Sequence, residues 1–440
     1  MRNDQPYSIT ARELYGAGPD QIPDPFIPSC HLIYSSPATL AYNSPGAIGF
    51  GVKRAGLLIP ESVMLLVSPA CCGRNSTILS SEEGYADRMF YLLMKEADLV
   101  TGRHLSRISQ AIREIAEAAE PRPKVVVICI TCADALLGTD LERVCRRAEA
   151  ETGLRVVPSY MYALEREGRK PPMAAIRKTI YSLLEKGEKE PDRINLMGFF
   201  TPVDPRSELF QVLRGMGIRK IGQVCQYDSL DAYQKMGRAN FNLVLHPESR
   251  YAAEDLLTRL GMPYIEFPRL FQPERIHQQY QLLAAALGTR AEDGPMFEAA
   301  RKARDQFRSR YAGLTCAVGE MTNADPFELA ASLADMGLRV KSVFSNVTPD
   351  SFPFLKRLAA ASPDTRIYTG ISPSMIHYEE EKDVDLTIGK DAGGYIPSAR
   401  NLEWFGELQP YGFQGFTDFL SAASAVLEGP ASDERKGVFL

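Results

Sequence analysis

The sequence predicts an α/β protein built on parallel sheets, and three observations carry that prediction. Short apolar runs alternate with helical patterns along most of the 440 residues, as strand–helix–strand units do. The length exceeds the size at which one hydrophobic core keeps growing, so two or three domains are expected. Two stretches, MGFFTPVDPRSELFQVLRGMGIRKIGQV and CAVGEMTNADPFELAASLADMGLRVKSVF, read as one unit written twice: strand, loop, capped helix, Met-Gly turn, strand. Together these point to three Rossmann-like domains, over residues 1–190, 191–310 and 311–440.

Taken in order, roughly the first 60 residues look irregular. SVMLLVS (residues 62–68) and KVVVICI (124–130) are strands, with helices expected over 85–96 and 105–119 between them. A helix over 141–152 and a short strand over 154–157 follow. The charged link at 185–190 opens the second block. There INLMGFF (194–200) is a strand, and 204–216 a helix whose Asp204 and Pro205 suit N-cap and N1 positions. IRKIGQV, FNLVLH and MPYIEF continue as strands, with a helix over 252–260. The third block places a strand at TCAVGE, a helix over 325–336, strands at LRVKSVFS, TRIYTG and VDLTIG, and a last helix near 417–428.

Composition narrows the function. Hydrophobic residues make up 45% and charged residues 24%, with a net charge of −5. Nucleic-acid binding would need a basic face, so no nucleic-acid partner is expected. No apolar run reaches the about 18 residues of a membrane span, and the N-terminal MRNDQPYSITARELYG has no signal-peptide core. A cytoplasmic protein is the expectation. Its eight cysteines then read as metal ligands, catalytic thiols or core residues rather than disulfides.

In parallel α/β sheets, ligands sit beyond the carboxyl ends of strands. Cys72, in SPACCGRNS, follows the SVMLLVS strand; Cys132, in ITCADALLGTD, follows KVVVICI; Cys30 lies in the N-terminal IPSCHLIYSS segment. Soft thiolates on loops suit an iron–sulfur cluster. Cys129, Cys145 and Cys316 read as core, Cys225 as a strand-end residue, and the Cys129-x-x-Cys132 spacing is interrupted by the end of its strand.

Cys30 in a loop, CCG after one strand and C-x-x-x-LLG-x-D-LE after the next resemble nitrogenase component 1. That family holds the nitrogenase α and β chains and relatives in cofactor assembly and tetrapyrrole reduction. MGIRK, FNLVLHPES, MPYIEF, MGLRV and QPYGFQGFTDFL extend the likeness over most of the chain. The resemblance implies that Cys30, Cys72 and Cys132 are ligands of a cluster, either 4Fe–4S or P-cluster-like, shared with a second chain. Cys71 departs from the family's single cysteine there and reads as an extra ligand or a filler. The resemblance also places His246 where nitrogenase α chains carry the cysteine that holds a second metallocofactor, in the cleft between domains. NLEWFGELQPYGF lacks the second ligand, a histidine, and puts Glu403 and Trp404 near its place. Lys390, in TIGKDAGG, matches a family lysine that faces that cofactor.

His246 would ligate a metal, donate a proton, or simply bond to backbone. With the standard cofactor ligands replaced, dinitrogen is a poor substrate expectation. The chain has no G-x-x-x-x-G-K-S/T sequence, so an ATP-coupled reaction needs a separate P-loop ATPase iron–sulfur reductase. The expectation is therefore the electron-accepting component of a nitrogenase-like reductase acting on a small molecule, tetrapyrrole or metallocofactor. It would work as a homo- or heterodimer with itself or a homologous chain, or as a tetramer of two kinds of chain. A non-catalytic scaffold for metallocluster assembly is the alternative.

Overall fold

The computed structural model describes residues 5–27, 30, 55–70, 86–161 and 172–429. The chain opens with a short strand, β1 (Ile9–Thr10), and a helix over Ala11–Ala17. Thr10 and Glu13 form a reciprocal capping box at its start. The first 60 residues are therefore not all irregular. S-I-T-A-R-E carries the capping signal, and the pairing partner of β1 lies 358 residues downstream (Ile9 opposite Ile367), beyond the reach of local pattern.

Three sheets follow. The first holds β2 (Ser62–Ser68), β3 (Met89–Leu93), β4 (Val125–Thr131) and β5 (Arg155–Met161), all parallel, in the order β3-β2-β4-β5. The second holds β6 (Glu190–Met197), β7 (Lys220–Gly222), β8 (Ala239–Val244) and β9 (Tyr264–Glu266), parallel, in the order β7-β6-β8-β9. The third holds β10 (Thr315–Gly319), β11 (Arg339–Phe344), β12 (Arg366–Tyr368), β13 (Leu386–Ile388) and β14 (Arg400–Leu402) in the order β1-β12-β11-β10-β13-β14, with only β1 antiparallel. The chain divides into two compact units. One contains the first two sheets; the other contains the third sheet, the N-terminal arm and residues 201–219.

The helix expected over residues 85–96 is not formed. MFYLL of that stretch is β3, paired in parallel along β2. Its unbroken apolar run satisfies either period, and the sheet decides. The helix expected over 204–216 begins only at Leu209 and ends at Gly215, and IRKIGQV yields just three strand residues before a 3-10 turn. The helix over Arg103–Ala118 presents Ile108, Ile112 and Ile115 at helical spacing to the first sheet. They pack with Leu65, Val67, Ile128, Ile130 and Cys145 in one core cluster. Each such side chain contributes on the order of 1.5–3 kcal/mol. Cys129, Cys145 and Cys316 are core residues, as read from the sequence.

Candidate functional site

At the carboxyl end of the first sheet, β4 runs directly into a short helix over Cys132–Leu137. Cys132 is partly buried at its first position. Asp134, two residues on, is fully buried, and its Oδ1 lies 2.9 Å from Nε2 of buried His104 and accepts from Thr139 Oγ1 at 2.8 Å. The other ring nitrogen, His104 Nδ1, donates to the Asp98 carbonyl at 3.1 Å. Leu136 and Leu137 of the same helix are exposed, as are Leu93 at the end of β3 and Val100 in the helix over Glu96–Thr101 that follows.

Cys30 is exposed, and its backbone N–H donates to Ile27 O at 3.0 Å. It belongs to the unit of the third sheet, whereas Cys132 belongs to the unit of the first. Cys71 and Cys72 lie outside the described residues. Among the described residues no three His, Cys, Asp or Glu side chains converge as a metal site. The donor chemistry still separates the thiols. Burial pushes Cys225 and Cys316 up to about 12 and raises Cys145 as well, which opposes the thiolate a metal needs. Cys30, exposed, and Cys132, half-buried just beyond β4, have the soft-donor chemistry of a cluster ligand.

At the end of the second sheet, Gly198 follows β6 at φ +142°. A Cβ there would stand 2.7 Å from the His246 backbone nitrogen, so only glycine allows β8's exit strand to pass. His246 is partly exposed and caps the turn Pro247–Ser249, its Nδ1 accepting the Glu248 N–H at 3.4 Å. With Nδ1 accepting, a neutral ring carries its proton on Nε2. In this conformation Nε2 presents a donor rather than a lone pair. Beside it, Arg177 is 1% exposed. It donates to Gly198 O at 3.1 and 3.3 Å, pairs with Glu248 at 2.8 Å, and lies 4.2 Å over the Phe200 ring. Arg177 has no signature in the sequence, since MAAIRKTIY gives no sign that an arginine faces inward.

At the end of the third sheet, a Cβ on Gly319 would stand 2.1 Å from Asp391 Oδ1. The Asp391 carboxylate occupies that space and accepts the N–H groups of Glu320 (2.9 Å) and Met321 (3.1 Å). It is nonetheless pushed up to about 6 by burial. Glu320 accepts the Asn346 N–H at 2.8 Å, and burial, then the nearby Asp391, pushes it up to about 8. At neutral pH it is chiefly a protonated acid, able to donate. Asn346 in turn accepts from Thr369 Oγ1 at 3.0 Å.

Lys390 is exposed at the start of the helix over Lys390–Tyr395, its N–H donating to Met321 O at 3.3 Å, and among the described residues its ammonium has no partner. Glu403 is exposed too. Trp404 sits at φ +40°, its carbonyl accepting Asn323 N–H at 2.8 Å, its ring edge-on to Phe419 at 5.4 Å and its buried Nε1 without a hydrogen-bond partner among the described residues. Strand register adds a relation that spacing concealed. Val244 pairs with Met197 before Gly198, and Ile388 pairs with Val318 before Gly319. His246 and Lys390, each two residues past those strands, hold equivalent positions in the second and third sheets.

Parallel sheets with Cys132, His246 and Lys390 just beyond their strand ends define a doubly wound α/β protein. Comparison with known proteins makes the class specific. The family described as Nitrogenase component 1 type Oxidoreductase matches residues 49–428, and the chain belongs to it. The chain is 25% identical over 221 residues to the nitrogenase molybdenum-iron protein alpha chain of Methanosarcina barkeri, covering 47% of this chain and 41% of that one. It is 29% identical over 199 residues to the nitrogenase iron-molybdenum cofactor biosynthesis protein NifE of Clostridium pasteurianum, covering 43% and 41%. The chain thus spans about two-fifths of the length of these relatives. Among solved structures, nitrogenase Cp1 at pH 6.5 superposes with a TM-score of 0.68 at 17% identity, over 90% of this chain and 94% of that one, which establishes the shared fold. Among the described residues no helix is long and apolar enough to cross a membrane.

Proposed function

We propose that this chain is the cluster-carrying, electron-accepting component of a nitrogenase-like, ATP-dependent reductase. The observation that carries the reading is Cys132, partly accessible directly beyond β4 in a member of this family. Cys30, Cys72 and Cys132 are its cluster ligands, with Cys71 in reserve. An iron–sulfur cluster held there supplies one-electron storage. The exposed Leu136 and Leu137 on the Cys132 helix, with Leu93 and Val100 exposed where the chain leaves β3 of the same sheet, support completion of the site by a second, homologous chain or a second copy. A separate P-loop ATPase iron–sulfur protein delivers the electrons. His246, Lys390 and Glu403 serve the substrate or a second metallocofactor, with His246 Nε2 as a hydrogen-bond or proton donor.

Anaerobic purification with iron, sulfide and EPR analysis tests the reading. Wild type should carry or accept a cluster, and Cys72→Ala or Cys132→Ala should lose most of its visible absorbance. A protein without iron after reconstitution, or undiminished absorbance in both variants, would refute it.

A second reading is favoured by the relatives named as cofactor biosynthesis proteins and by the replaced cofactor ligands. In it, the chain is a scaffold that assembles a metallocluster for another enzyme. Given reductase and ATP, an enzyme oxidises its reduced cluster with a small substrate over many turnovers. A scaffold instead delivers metal and sulfide stoichiometrically to an acceptor protein.

A further inference from the structure

The helix that carries Cys132 is held in an unusual way. It is six residues long, and its apolar Leu136 and Leu137 are 57% and 54% exposed. Among its residues whose side chains are described, the buried one is the acid Asp134, at 0% exposure. An apolar anchor would pack in many orientations at similar cost, but a carboxylate in a dry site is restricted by the direction of its hydrogen bonds. Those bonds run to His104 Nε2 at 2.9 Å and Thr139 Oγ1 at 2.8 Å. His104 is itself fixed, 1% exposed, by donating Nδ1–H to the carbonyl of Asp98, whose side chain closes back on the Lys95 N–H at 3.0 Å. The segments leaving β3 and β4 are thereby tied together by one polar chain, from Lys95 through Asp98 and His104 to Asp134 and Thr139. Among the described residues Asp134 Oδ2 has no hydrogen-bond partner, and within them Oδ1 bears the connection.

We infer that His104 and Asp134 are positioning residues for Cys132, their buried hydrogen bond setting the direction in which its thiol leaves the sheet. The inference rests on Cys132 being a cluster ligand. Outer contacts that orient a ligand tune the potential and affinity of the metal it holds, and here the outer contact is two residues along the ligand's own helix. Neither residue touches the cluster's substrate or takes part in electron transfer itself.

The test uses the full chain with Asp134→Leu, Asp134→Asn, His104→Leu and His104→Gln. In the metal-free protein, alkylation of Cys132 is timed by peptide mass spectrometry, with buried Cys145 and Cys316 as internal controls for folding. Asp134→Leu and His104→Leu should change the Cys132 rate at least threefold while the controls stay protected. Asp134→Asn and His104→Gln, which keep a hydrogen-bonding group at each position, should restore it towards wild type. In reconstituted protein the same Leu variants should shift the cluster's midpoint potential and EPR g-values, again with recovery in Asn and Gln. Unchanged labelling, potential and spectrum in a folded Leu variant overturn the inference. If one Leu variant exposes the control cysteines, the other decides, because it breaks the same bond from the opposite side. If both do, the Asn and Gln variants decide: wild-type labelling with a wild-type spectrum supports the contact, and altered values despite retained polarity refute it. A wild-type protein that takes no iron would refute the cluster reading alone, since the labelling result stands without metal.

Discussion

Segments 197–220 and 318–341 are two versions of one design, and their differences show how a repeat is put to separate uses. Both run from a strand through a glycine, Gly198 or Gly319, to Asp-Pro, then Glu-Leu, a helix and a Met-Gly turn. They close identically. Gly217 at φ +90° and Gly337 at φ +88° end their helices. Ile218 N–H donates to Leu213 O at 3.0 Å, as Leu338 N–H does to Leu333 O at 3.1 Å, the paired pattern of a Schellman stop. They begin differently, because the first has one more residue between Asp-Pro and Glu-Leu (Arg206–Ser207 against Phe327). Asp325 caps its helix, accepting Phe327 and Glu328 N–H at 3.0 and 2.9 Å. The insertion carries Asp204 away from that role, and it binds Arg206 instead, at 2.6 Å.

The glutamates that follow are both buried and both hold distant parts of the same unit, by different chemistry. Glu328 faces two cations, Arg275 and, at 2.8 Å, Arg357, and also accepts the Phe271 N–H at 3.2 Å. Glu208 faces neutral donors: Tyr280 OH at 2.7 Å and the N–H groups of Phe413 and Gln414 at 2.6 and 3.0 Å, at the start of the helix over Gly412–Glu428. Breaking the comparison here has the largest expected effect. Glu328→Ala takes the carboxylate from Arg275 and leaves Arg357 only its pair with Asp335, at 2.8 Å, and should cost about 3 kcal/mol, while Glu208→Ala loses neutral bonds at about 2 kcal/mol. Glutamine separates them further. Glu328→Gln should be nearly as damaging as Ala, whereas Glu208→Gln should recover most of the loss. Denaturant unfolding measures both, and equal costs for the two Gln variants would mean that charge is not what distinguishes the pair.

These contrasts mark what could be read in advance. The Met-Gly stops, the Asp325 cap and the strands at SVMLLVS and KVVVICI are local, fixed by neighbours a few residues away, and the repeat itself was visible as text. The one-residue insertion was visible too, but its consequence was not, because Asp-Pro alone signals a helix start whether or not the next residues keep phase. MFYLL became β3 through pairing with β2, not through its own preference. At the candidate site, Cys132 and His246 were legible as residues after strands. Their surroundings were not: Asp134 meets His104 from 30 residues away, and Glu208 meets Phe413 from 205. The equivalence of His246 and Lys390 needed strand register, which spacing does not supply.

The position after the strand glycine sharpens the comparison by pH. The first segment has Phe199 where the second has Glu320, beside Asp391. Burial raises the folded-state values of Glu320 to about 8 and Asp391 to about 6, above the roughly 4 of an unfolded carboxyl. The folded state therefore binds protons that the unfolded state releases. Stability from these groups is fully present below about pH 4 and is lost as pH rises through 6 and 8, by up to ~1.4 kcal/mol per pH unit for each group. Trp404 is the single tryptophan and lies in this unit, so its fluorescence can follow denaturant midpoints from pH 5 to 8.5. Midpoints should fall across that range, Glu320→Gln should flatten the upper part, and Phe199→Leu should leave the slope alone. A slope that survives Glu320→Gln would assign it elsewhere.

The two aspartates give the smallest effect and the cleanest opposition of sign. Asp204 partners an arginine that is 64% exposed, and such a pair is worth about 0–1 kcal/mol. Replacing it with Asn removes that attraction and nothing else, so Asp204→Asn should cost a few tenths of a kcal/mol, the low end of that range. Asp325 caps a helix but does so where desolvation pushes its carboxyl up to about 7. At pH 8 its charge is carried against that cost. Asn accepts the same two N–H groups and caps as well as Asp, without a charge to desolvate. Asp325→Asn should therefore be neutral or stabilising at pH 8, and lose that advantage by pH 5, where the aspartate is itself protonated. Asp325→Ala removes the cap outright and should cost about 1 kcal/mol at either pH. If Asp325→Asn were instead as costly as Asp325→Ala at pH 8, the ionised carboxylate would be what the helix requires, and the one-residue insertion in the other segment would have displaced a charge rather than a hydrogen-bond acceptor.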